Sequence, residues 1–296
     1  LAYVLMYFLS APWQLLLIYG VLVGFGLAAH DVVTLSTIAH WFPKRRGTMS
    51  GVVKVGTAIG QMIIPVVAVA LIAAVGWRSA FVVPGIGATV LLLTAAWLMG
   101  ITPVTDKSDG KQVDKTDGLP FAEARQGPQF WTLCAIQFFF FGTLITIPIH
   151  IVPHSIDSSL TAAHAATVLS TIAAGSIAGR LLTGNFVDRI GGKRCIDICL
   201  LLLFLSLISL LFIEDAKLLY TFAIVYGFAH GGLFTVVSPT VAEYFGMKAH
   251  GVIFGVIVCT ATIVGALLPI ATGMFFDNQQ TYDLAFALMA AMILSV

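Results

Sequence analysis

The sequence predicts an all-α membrane protein made of two related six-helix bundles, truncated in this 296-residue chain to about ten spanning helices. Three observations predict it. Apolar residues make up 59% of the chain and charged residues 10%, with a mean hydropathy of +0.99. A soluble domain carries roughly 25% charge, so most of this surface faces lipid. Turn and charge punctuation then divides the chain into apolar stretches of helix length. Finally, two parts of the chain follow one pattern about 204 residues apart. Gly24-Phe25 aligns with Gly227-Phe228, Trp41-Phe42 with Tyr244-Phe245, Gly47 with Gly251, Gly51 with Gly255, Pro65 with Pro269 and Ala80-Phe81 with Ala285-Phe286.

The apolar segments run over 1–10, 13–41, 46–75, 78–100, 128–154, 162–187, 193–213, 218–245, 249–275 and 281–296. Helices are the form these can take, because lipid offers no partner to a free backbone group. The first and last are shorter than the roughly 20 residues a span needs, which reads as a fragment cut at both ends. Subtracting the repeat offset starts the first half roughly 75 residues before Leu1, room for two more helices and part of a third. On that count residues 1–100 are helices three to six of an N-terminal half. Residues 128–296 are helices seven to twelve of a C-terminal half, the last one truncated. Residues 101–127, dense in Asp and Lys, form a solvated linker. Gly pairs four apart, Gly20 with Gly24, Gly56 with Gly60 and Gly251 with Gly255, are expected to let helices approach closely.

Lys and Arg set the orientation. Lys44, Arg45, Arg46, Lys107, Lys111, Lys115, Arg125, Arg189, Lys193, Arg194 and Lys248 fall in one set of loops; only Arg78 and Lys217 fall in the other. This bias makes the basic set, and the linker with it, cytoplasmic in a multi-pass protein of the cell membrane. The four cysteines (Cys134, Cys195, Cys199, Cys259) sit in apolar segments at no redox or zinc spacing. There is no Ser/His/Asp grouping, metal cluster or phosphate loop. An enzyme, a cofactor, a bound metal and a nucleic-acid partner are therefore not expected.

Ionisable groups inside a span cost at least a few kcal/mol each and point to function. Arg180 lies eight residues before Asp188, roughly 12 Å into its helix; Lys54 lies seven after Gly47, roughly 10 Å. Asp31, with His30 beside it, lies ten before Trp41, roughly 15 Å deep. Arg180 suits a carboxylate, because its planar fork donates two parallel hydrogen bonds; it also suits a structural tie to neighbouring carbonyls. Lys54 can bind the same anion, pair with Asp31, or snorkel. Asp31 and His30 are candidate proton carriers, since occupancy of a charged site can flip their protonation. They are adjacent, about 100° apart on a helix, so one of them faces the interior. His150 and His154 flank Pro153 and read as an interfacial gate or exposed histidines rather than as metal ligands. His230 reads as a packed polar residue. Asp188, Arg189, Lys193 and Glu243 lie at cytoplasmic helix ends, where Arg189 or Lys193 is expected close to Glu243, and Asp188 can also cap a helix N-terminus.

Gly184-Asn-Phe-Val-Asp188-Arg189-Ile-Gly191-Gly192-Lys193 resembles the signature loop of the major facilitator superfamily. Trp41-Phe-Pro-Lys-Arg-Arg-Gly47, Gly179-Arg180 and Ala242-Glu243-Tyr-Phe-Gly246 resemble its monocarboxylate-transporter and oxalate/formate-exchanger branch. The resemblance covers the whole chain. It implies a secondary transporter of small organic anions, such as lactate or pyruvate, or formate and oxalate. It would work by alternating access, with proton symport or anion exchange. A parallel repeat of this length implies the same architecture. It also implies that Asp188, Arg189, Lys193 and Glu243 act as a conformational latch. The chain departs from the branch where Ser176 stands in place of an Asp one turn before Arg180, and Thr262 in place of a Lys. The identity of the acid and the group that carries a proton are thus left open. The partners expected are a small carboxylate, protons and the lipid bilayer, with the protein a monomer. Two other readings fit the same scaffold: an exporter of a larger amphipathic compound, and a non-transporting membrane sensor.

Overall fold

The computed structural model describes residues 2–98, 118–157, 161–212 and 215–296; most of the expected linker, 101–117, lies outside the described residues. Helices account for every expected apolar segment, and among the described residues there is no strand, only one isolated bridge between Gly118 and Gly246. The elements are α1 (Ala2–Leu5) with a 3-10 turn at Met6–Phe8, α2 (Pro12–Leu15), a π-helical stretch Leu16–Val23, α3 (Gly24–Trp41) and α4 (Arg46–Leu98). They continue as α5 (Phe121–Ala124), α6 (Pro128–Asp157), α7 (Ala162–Ile190), α8 (Gly192–Leu210), α9 (Ala216–Phe245), α10 (His250–Gln279) and α11 (Asp283–Leu294). Among the described residues five stretches are long and apolar enough to cross a membrane: Pro12–Trp41, Val66–Leu98, Pro128–Ile156, Ala216–Phe245 and His250–Gln279.

Local chemistry fixes the helix ends. α4 is broken at Gly76, whose φ of 76° and ψ of 159° only glycine adopts readily. Gly191, with φ 87°, turns the chain from α7 into α8, and Gly246, with φ 72°, ends α9. The Thr161 hydroxyl accepts from the backbone N–H of His164, and the Asp215 carboxylate accepts from that of Leu218 at 2.8 Å, each capping the helix it precedes.

The chain forms two compact units, residues 1–37 with 59–113 and residues 38–58 with 114–296. The boundary runs through α3 and α4. In the first unit Tyr3 stacks on Phe81 at 6.1 Å, and Gly85 leaves room for the Tyr3 side chain. Arg78 donates to the Leu9 carbonyl at 3.2 Å and lies over the Trp77 ring. Of the most apolar part of Val66–Leu98 6% is buried, against 72% of that of Ala216–Phe245.

In the second unit α7 runs between the start of α4 and α9. Glycine permits both crossings. A Cβ at Gly179, Gly227 or Gly231 would collide with the backbone of Phe228, Ile172 or Ser176 on the facing helix. One at Gly47 or Gly51 would collide with the backbone of Gly184 or Arg180. Close backbone approach of this kind is how small residues join helices when lipid removes the hydrophobic drive. Two of the expected glycine pairs, Gly20 with Gly24 and Gly56 with Gly60, close no such crossing among the described residues. A Cβ at Gly20, Gly24, Gly56 or Gly60 would meet nothing within 4 Å among the described residues. Spacing alone does not say which face of a helix meets a partner.

Candidate functional site

The crossings of α7 aim two of its polar side chains inward. Ser176 and Arg180 lie one turn apart and are 2% and 1% exposed. Arg180 Nη1 donates to the Lys54 carbonyl and to Thr57 Oγ1, the latter at 2.6 Å. Lys54, on α4, is itself 3% exposed, so neither cation points into lipid. Its Nζ lies 3.9 Å from the centroid of the Phe234 ring on α9, and the Arg180 guanidinium carbon lies 5.2 Å from the same centroid. Two cations from two helices thus share one aromatic ring, whose negative face attracts both.

Phe234 ends a ladder of rings along α9. Phe222, Tyr226, His230 and Phe234 recur every four residues, stacked at 5.3, 5.8 and 6.3 Å. The Tyr226 hydroxyl donates to the Thr143 carbonyl on α6 at 3.1 Å. His230 is not merely packed, as the sequence suggested: its Nδ1 lies 3.0 Å from Ser176 Oγ in a buried hydrogen bond. The signal available beforehand was that Ser176 stands where an acidic residue was expected. A lone polar substitution names no partner.

The helix-end residues behave differently from the expected ion pair. The Asp188 carboxylate accepts from the backbone N–H groups of Gly47 and Thr48, both at 2.8 Å, and from Thr48 Oγ1 at 2.7 Å. It caps α4 from the end of α7, where the helix dipole favours a negative charge. Glu243 is not paired with Arg189 or Lys193. Its Oε2 accepts from the Gly192 N–H at 2.8 Å, capping α8 from the end of α9, while Lys193 Nζ binds Asp197 at 2.7 Å. A carboxylate beside an uncapped helix start finds directed donors there, which an exposed lysine on a flexible stem does not match.

His30 and Asp31 belong to the first unit, where His30 Nδ1 and Asp31 Oδ1 lie 3.0 Å apart. Adjacent side chains that the helix angle would separate are here turned toward each other. At the far end of α6, His150 Nε2 donates to the Pro269 carbonyl at 3.1 Å, and His154 packs edge-on against Phe286. Among the described residues no group of His, Cys, Asp and Glu is arranged to hold a metal ion.

Comparison with known proteins fits this arrangement. The family model of the Major Facilitator Superfamily matches residues 1–213 and 153–296. The chain belongs to the major facilitator superfamily. Its fold is similar to that of the fucose:proton symporter FucP of E. coli (N162A form), with a TM-score of 0.64 at 18% identity over 99% of this chain and 80% of that one. It is 29% identical to the MFS-type transporter YhjX of Escherichia coli over 245 residues, 79% of this chain and 60% of the relative. It is 25% identical to human monocarboxylate transporter 11 over 310 residues, 100% of this chain and 64% of that relative. The chain spans about 60% of the length of the curated relatives it matches. This superfamily member is a multi-pass membrane protein.

Proposed function

We propose that this protein is a secondary carrier of small carboxylates, moving a monocarboxylate such as lactate or pyruvate by alternating access. The observation that carries the reading is the pair of buried cations, Arg180 and Lys54, gathered on the Phe234 ring. An ionisable group inside an apolar span is costly to keep there and points to function. A carboxylate accepts two parallel bonds from a guanidinium and a third from an ammonium. Similarity to proteins named monocarboxylate transporters 10 and 11 supports the same class. In this reading the His30–Asp31 pair carries a coupled proton. The helix-end contacts of Asp188, Arg189, Lys193 and Glu243 latch one conformation. The protein is a monomer in the cell membrane, with the linker 101–127 cytoplasmic.

The bond from Arg180 to the Lys54 carbonyl favours a second reading, in which Arg180 only ties α7 to α4. One experiment separates the two. Vesicles holding the full-length protein are offered labelled lactate, pyruvate, formate and oxalate, and Arg180→Lys is compared with wild type. The carrier reading expects uptake of at least one acid. It also expects a KM raised about tenfold to a hundredfold in the variant, the worth of one or two charge-assisted hydrogen bonds. No uptake of any acid by wild type overturns it. An unchanged KM in a less stable variant favours the tie.

A further inference from the structure

The proposed carrier needs a protonatable group near its anion site, and Ser176 stands where the resemblance expects an Asp. We infer that His230 is the proton-binding group of the C-terminal half, held in place by Ser176 and coupled through space to the anion on Arg180 and Lys54. This rests on the carboxylate reading and adds to it a coupling residue on α9, separate from the His30–Asp31 pair.

Geometry carries the inference. His230 is 6% exposed, and its Nδ1 is fixed 3.0 Å from Ser176 Oγ. Ser176 is one helical turn from Arg180, so the residue that orients the imidazole and the residue that would hold the anion share one face of α7. His230 also stacks on Phe234, at an interplanar angle of 20°, and Phe234 is the ring over which both cations lie. Phe140 faces the imidazole from α6 and Tyr226 from its own helix, and from α8 Cys199 lies against the neighbouring Gly232. Arg180 is the charged group that acts on it directly, and Lys54 faces it across Phe234. With Nδ1–H donating to Ser176 Oγ, Nε2 is the nitrogen that can take up a proton while Ser176 keeps its hold.

The coupling is electrostatic. An imidazolium and a bound carboxylate attract each other at short range in a medium of low dielectric. Binding of either therefore favours binding of the other by the same factor, which is the linkage a symporter requires. Loss of the anion on the far side of the membrane then releases the proton with it.

The test measures binding of labelled lactate or pyruvate to the full-length protein at low and high pH. Wild type should bind about tenfold more tightly at low pH, a coupling of ordinary size. His230→Gln offers Ser176 a similar hydrogen bond but cannot be protonated. It should lose most of the tightening that wild type gains at low pH. A His230→Gln protein that keeps the wild-type pH difference overturns the proposal. Should that variant fail to fold, Ser176→Ala serves. Freeing the imidazole should shift the midpoint of the pH profile, and an unmoved midpoint also overturns the proposal. Failure of the carboxylate reading looks different: wild type itself would bind none of the acids at either pH.

Discussion

The carboxylate of Asp188 reaches across 141 residues of sequence to a backbone N–H in the first turn of α4, at Gly47, over 2.8 Å. Three donors converge on it, and together they pin the start of α4 to the end of α7. Asp188→Ala should lose about 1–2 kcal/mol of stability, the usual worth of such a cap. Asp188→Asn, which keeps one acceptor, should lose less. Thermal unfolding of the detergent-solubilised protein ranks the three, and an alanine variant as stable as wild type would remove the cap from the account.

Gly179 and Gly60 should respond oppositely to alanine. At Gly179 an added methyl drives into the Phe228 backbone, which neither helix can move cheaply, and overpacking of this kind costs about 1–3 kcal/mol. At Gly60 the space is open and the residue is helical, so alanine should gain up to about 1 kcal/mol. Equal effects at the two positions would mean that the α7–α9 crossing is looser than described.

Charge exchange between Arg189 and Glu243 should not rescue function. Glu243 binds the Gly192 N–H, so Arg189→Glu cannot supply what Glu243→Arg removes. Acid uptake by the double variant is expected to be no better than that of the worse single variant. Recovery above both singles would show that a direct pair forms in another conformation of the cycle.

Asp31→Asn tests the proton route of the first unit. Asparagine keeps the hydrogen bond to His30 but not the charge. The variant should exchange acid for acid yet fail to accumulate acid against a gradient when driven by protons. Accumulation at the wild-type level would leave the proton to His230.

The sequence by itself determined the class of the molecule and its segmentation. Composition named the solvent, and the ends marked by Gly191, Gly246, Thr161 and Asp215 depend on backbone chemistry within a few residues. The inner position of Arg180 and Lys54 was legible too, since a charge so deep in an apolar span must be sheltered. Only the tertiary structure decided what those residues meet. His230 and Ser176 are 54 residues apart, and Glu243 and Gly192 are 51. Which glycines close a crossing, and whether a carboxylate meets a cation or a helix start, depend on how each helix is rotated about its axis. In a soluble helix the apolar stripe reports that rotation. Where lipid and core are equally apolar, hydropathy is nearly uniform around the helix, and the rotation is set by packing between segments far apart in the chain.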